Sequence, residues 1–127
     1  MESFVINGDV WRVVRVEPFD PSLIDRTRIY RLATTSPKKH TVYLSNKLEY
    51  PMLDRVLLHE VVHALTVSYN LLPSLREKTS WNDIEEWNAQ ILENFSLEAV
   101  IITSGILGRP LCIRDYCLGE YYESGKA

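Results

Sequence analysis

The longest apolar pattern in the chain lies in its middle. From Leu53 to Leu72 the apolar residues Leu53, Val56, Leu57, Leu58, Val61, Val62, Ala64, Leu65, Val67 and Leu71 surround a helix axis almost completely. A helix apolar all round belongs in a core. Pro51 opens this helix, and Asn70 and Pro73 close it. Downstream, Ile84, Trp87, Ile91, Phe95, Ala99 and Ile102 form the stripe of a second long helix. Ser80 or Asn82 caps it, with Asp83, Glu85 and Glu86 in the first turn, where the helix dipole favours acids. It ends near Gly105 or Gly108, and Leu75–Thr79 reads as a polar linker.

The first fifty residues carry the shorter period of strands. Phe4-Val5-Ile6 and Val10–Val16 are β-branched and aromatic runs, joined by Asn7-Gly8, which suits a type I′ hairpin turn. Asp20-Pro21-Ser22 reads as the start of a short helix, with Asp20 as its cap. Arg28–Leu32 again reads as strand, and Thr34–Lys39 as a turn around Pro37. His40–Ser45 alternates, with Val42 and Leu44 on one face, as in a half-buried strand. The expected fold class is therefore α+β: a small antiparallel or mixed sheet in residues 1–50, then a helix over 51–72 and a second over 81–105. A tail over 110–127 completes a single domain.

Composition narrows the function. A net charge of −3 gives no general attraction to nucleic acid or to an anionic membrane. Residues 1–50 carry +2 and residues 51–127 carry −5, so the acidic excess lies with the helices. The cluster Arg26, Arg28, Arg31, Lys38 and Lys39 is most simply a solvated sheet edge, protected by charge. No signal-like leader or membrane-length apolar run is present, so the expected location is the cytoplasm. Cys112 and Cys117 are too few for a disulfide framework, and free thiols are expected.

Candidate chemistry concentrates in His59-Glu60-Val61-Val62-His63, which holds two of the three histidines. Residues four apart on a helix bring their Cβ atoms to about 5–6 Å, so His59 and His63 can share one metal ion. Glu60 reaches the same rim of the helix, beside the metal, where a general base stands. His40 reads as a solvated strand end. A zinc site needs a third protein ligand, and no histidine follows His63. Glu85, Glu86 and Glu93 on the second helix are the candidates. Glu86 lies away from the Ile84–Ile91–Phe95 stripe and Glu85 nearer it, but a helix buried on both faces takes from the stripe its power to choose.

These pieces resemble the gluzincin metallopeptidases in their smallest form. They also resemble the ImmA/IrrE-like metallopeptidases and the small HExxH proteins of phages and mobile elements of Gram-positive bacteria. The resemblance runs from about Thr41 to Ala99, through T-V-Y-L-S-N, D-R-V-L-L-H-E-V-V-H-A-L and E-E-W-N-A-Q-I-L. In these families the ligand glutamate is followed three residues on by a small residue and four residues on by Asp or Asn. Glu86 is followed by Ala89 and Gln90, so the resemblance selects Glu86, with Gln90 a departure. The metzincin extension is absent, because Thr66 and Tyr69 stand at its Gly and His positions.

The resemblance implies a zincin-like fold and one Zn2+ per chain, held by His59, His63 and Glu86. It also implies peptide hydrolysis by a zinc-bound water that Glu60 activates, and a peptide or protein as substrate. Thr41–Ser45 would be the edge strand on which that peptide aligns, and Tyr69 is a candidate oxyanion donor. The alternative is a zinc-bearing module with a structural or partner-binding role and no turnover.

Overall fold

A computed structural model describes residues 2–113, 116 and 117 of the chain. The N-terminal hairpin forms where the sequence places it. Asn7 and Gly8 both take positive φ, of 50° and 82°, as a type I′ turn requires. They join β1 (Ser3–Ile6) to β2 (Asp9–Val16). Asp20 caps a single 3₁₀ turn at Pro21–Leu23, its carboxylate accepting from the Ser22 amide at 2.9 Å.

The next strand is displaced from its expected position. Arg28–Leu32 is an exposed loop, and β3 is Ala33–Ser36, inside the stretch expected to be a turn. Asp25 organises that loop. Its carboxylate accepts from the Thr27 amide and hydroxyl, the Ile29 amide and the Arg31 Nε. A closed loop of this kind leaves the residues between its anchors no freedom to extend into a ladder. β4 (Thr41–Ser45) follows a tight turn in which His40 has φ 46°.

The four strands form one mixed sheet in the order β1-β2-β4-β3, with β2 and β4 parallel and the other two pairs antiparallel. The edge facing the cleft is therefore β3. Thr41–Ser45, expected at the edge, is an inner strand buried at four of its five positions.

α1 (Met52–Ser68) lies across one face of this sheet. Phe4, Ile6, Trp11, Val13, Ala33, Val42 and Leu44 from the strands pack with Leu57, Val61, Ala64 and Leu65 of α1. Each valine, leucine, isoleucine or phenylalanine among them contributes about 1.5–3 kcal/mol through burial. The buried Trp11 indole donates to the Ser68 hydroxyl at 2.7 Å, and Asn7 donates to the Ser68 carbonyl, so the hairpin holds the end of α1. Asn70, with φ 52°, turns the chain away from that end. The helix is not buried all round: Arg55, His59, Val62 and His63 are exposed. The sheet and the last helix cover two flanks of α1 and leave the third open.

A five-residue helix, α2 (Leu72–Arg76), starts where the first helix was expected to end and runs two residues into the expected linker. α3 (Trp81–Leu107) is capped by the Ser80 hydroxyl and stopped at Gly108, φ 71°. It runs antiparallel to α1, as two contacts show. Tyr69, at the end of α1, meets Phe95 and Glu98, while Asp54, near the start of α1, meets Arg109 just beyond α3. Only the second half of α3 therefore has α1 to pack on. Ala99, Thr103 and Ile106 are buried there, whereas Trp81 is 85% exposed and Ile84 is exposed as well. The first half of the expected stripe is not a core face.

β5 (Cys112–Ile113) pairs with β6 (Tyr116–Cys117). Cys112 is disulfide-bonded, which corrects the expectation of free thiols. The ladder sets Cys112 opposite Cys117, a separation suited to such a bond. The rest of the expected tail lies outside the described residues. Among the described residues, no helix is long and apolar enough to cross a membrane.

Candidate metal centre

The i, i+4 spacing of His59 and His63 places both rings on the open flank of α1, one turn apart. Their Nε2 atoms are 3.1 Å apart and their planes are inclined at 77°. Two nitrogens bound tetrahedrally to one zinc at 2.0–2.1 Å would be about 3.3 Å apart. The pair therefore suits two corners of a zinc shell, and it also suits a hydrogen bond between a neutral donor and acceptor ring. Loss of hydration lowers the His63 proton affinity below its ordinary value. Glu60 opposes this shift, and His59 and Arg26 add to it. A neutral imidazole is the form that a metal requires.

Glu60 stands beside the pair, but its surroundings differ. It is buried, and it accepts a 2.8 Å hydrogen bond from the Thr35 hydroxyl on β3. Thr35 also reaches the Glu60 carbonyl at 3.3 Å. Two elements 25 positions apart thus fix this carboxylate. Thr35 was missed in the sequence because Thr34–Lys39 reads as a turn. The available signal was a second β-prone run, Ala33–Ser36, facing Thr41–Ser45 across Pro37–His40.

The three residues open into a cleft of about 1260 Å³ between α1, the edge strand β3 and the Asp25–Leu32 loop. Its floor includes Thr35, His59, Glu60 and His63, and its rim carries Arg26, Arg31, Lys39 and Arg55. Tyr69 is not part of it. Its hydroxyl donates to Glu98 at 3.0 Å, and this bond holds the phenol protonated by raising its pKa. That engagement on the α3 side removes it as an oxyanion donor. His40 is stacked on Trp11 at 4.6 Å, a packing role more specific than a solvated strand end.

α3 contributes no residue to the cleft. Glu85, Glu86 and Glu93 are exposed on its first half. At 1.5 Å per residue, Glu86 lies about 14 Å along α3 beyond the Phe95–Tyr69 contact, and His63 lies about 9 Å back along α1 from it. The structure therefore does not bring Glu86, or either alternative, to the histidine pair. Among the described residues, no three His, Cys, Asp or Glu side chains come together as a metal site. The histidine pair fits a zinc ion, and the expected third ligand does not join it in this arrangement.

No protein-family model matches the chain, and neither a curated protein nor a solved structure shows significant similarity to it.

Proposed function

We propose that the chain is a zinc-dependent metalloendopeptidase of minimal zincin-like fold. The observation that carries this reading is the convergence of His59, His63 and Glu60 on one cleft bounded by an open strand edge. A helix that needed only a core would not place two imidazoles on its uncovered flank and a buried carboxylate beside them. Neither would a purely structural zinc site call for a carboxylate beside its histidines.

His59 and His63 would hold the ion. Bound zinc polarises a carbonyl oxygen and lowers the pKa of a water it carries to about 7. The remaining roles belong to the chain. Glu60, held by Thr35, takes a proton from the attacking water and passes it to the leaving amine. β3 offers main-chain groups that align an extended peptide across Glu60.

The test is a matched pair of measurements. Zinc at 100 times its dissociation constant should stabilise the parent by about 2.7 kcal/mol, and His63→Ala should abolish that gain. Glu60→Gln should keep one zinc per chain and lose peptide cleavage. A parent that binds zinc but cleaves nothing in a broad peptide library would instead be a zinc module without turnover. The same titration on Glu86→Gln decides the third ligand: a large loss of affinity places Glu86 in the shell, and an unchanged affinity removes it.

A further inference from the structure

We propose that the cleft is selective for acidic peptides, bound extended along β3 with their carboxylates on Arg26, Lys39 and Arg55. This deepens the peptidase reading and rests on the same cleft. Its first support is charge. Arg26, Arg31, Lys39 and Arg55 line the cleft, against Asp25 and Glu60 as its acids. Arg31 is committed to Asp25 at 2.6 Å, and Glu60 is bonded to Thr35. No ion pair holds Arg26, Lys39 or Arg55 among the described residues. A chain of net charge −3 thus gathers three uncommitted cations around one opening. Protection of a short edge strand does not account for all three, since Arg26 and Arg55 lie far from β3 in sequence.

The second support is the strand edge. The Ser45 amide donates to the Leu32 carbonyl, which makes Leu32–Ser45 a hydrogen-bonded pair of the β3–β4 ladder. Antiparallel pairs alternate, so Thr34 and Ser36 point their main-chain groups at β4. Ala33 and Thr35 then direct their N–H and C=O groups off the sheet edge, at the cleft. An extended peptide satisfies such a row, whereas a phosphodiester backbone has no N–H to offer it. Arg26, which lines the same cleft, sits in a loop that four hydrogen bonds to Asp25 hold in place. A cation on a fixed loop loses little freedom on binding, which favours a specificity role.

The probes are fluorescein-labelled dodecapeptides that differ only in side-chain charge: Asp/Glu-rich, Asn/Gln-rich and Lys-rich. They are titrated onto full-length Glu60→Gln protein, so that binding is read without turnover. Three partly solvated ion pairs predict about tenfold tighter binding of the acidic peptide over the neutral one in 50 mM salt. That preference should collapse in 0.5 M salt. Arg26→Gln/Arg55→Gln, which leaves Lys39 in place, should cut the preference for the acidic peptide from about tenfold to about twofold without a change in melting temperature. Alternate N-methylation of the acidic peptide should weaken it if β3 is its partner.

Equal affinity for the three peptides, or an unaltered preference in the double variant, overturns the proposal. So does tighter binding of a single-stranded oligonucleotide than of the acidic peptide, or indifference to N-methylation. Charge-selective binding by a parent that cleaves no peptide would sink the peptidase reading and sustain this one. Parent protein that cleaves acidic and neutral peptides equally would do the reverse.

Discussion

Asp54→Asn tests the junction that fixes the start of the histidine-bearing helix. The Asp54 side chain is fully buried and takes three hydrogen bonds: from the Arg109 guanidinium at 2.5 and 2.7 Å, and from the Cys112 amide at 2.8 Å. Asparagine keeps one acceptor oxygen and loses the charge. Breaking a buried pair costs about 3–5 kcal/mol when the partner charge stays buried. Here the Arg109 side chain is 37% exposed and lies over the Tyr50 ring at 5.5 Å, so it can turn to water. The expected loss is therefore about 2–3 kcal/mol, the scale of two charged hydrogen bonds after solvent compensation. With an unfolding entropy of about 2.1 cal/mol/K per residue, the melting temperature should fall by about 7–11 °C.

The assay is thermal unfolding at pH 7 and again at pH 3. Burial pushes the Asp54 carboxyl up, but the bonds from Arg109 and Cys112 outweigh it and leave it below its ordinary value. A depressed native carboxyl contributes stability that is fully present above the unfolded pKa of about 3.9. The contribution fades as pH falls below that value and is gone once pH passes the native pKa. The gap between parent and variant should thus be widest near pH 7 and narrower at pH 3. Asp20 and Asp25 are depressed too, but they titrate in both proteins and cancel in the difference. A variant that melts within about 2 °C of the parent at pH 7 refutes the reasoning.

Two further predictions concern other joints of the fold. Thr35→Val removes a charge-assisted bond to Glu60 and should cost about 1 kcal/mol in chemical denaturation. Thr35→Ser should restore both stability and any peptidase rate, and a Val variant as stable and as active as the parent would show that Thr35 positions nothing. Gly108→Ala places a side chain at φ 71° in open space, so only backbone strain of about 1 kcal/mol should appear, as a drop of about 4 °C in melting temperature.

Much of this chain is legible locally. Asn7-Gly8, the Asp20 and Ser80 caps, Asn70 and Gly108 act through dihedral preferences and bonds within a few positions; the first, Asp20 and Asn70 stand where the pattern placed them, and Ser80 and Gly108 are each one of the two positions it offered. The facing of His59 and His63 is of the same kind, because helical geometry alone brings residues four apart together. The strand order, the burial of Thr41–Ser45, the bond from Thr35 to Glu60 and the clasp of Asp54 by Arg109 belong to another kind. They join residues 25 to 55 positions apart, and periodicity carries no information about partners at that range. Nor did an apolar stripe reveal that half of α3 would outrun the helix it packs on. A stripe records which face seeks cover. Whether cover exists depends on the length and direction of the neighbour, and this the tertiary structure decided.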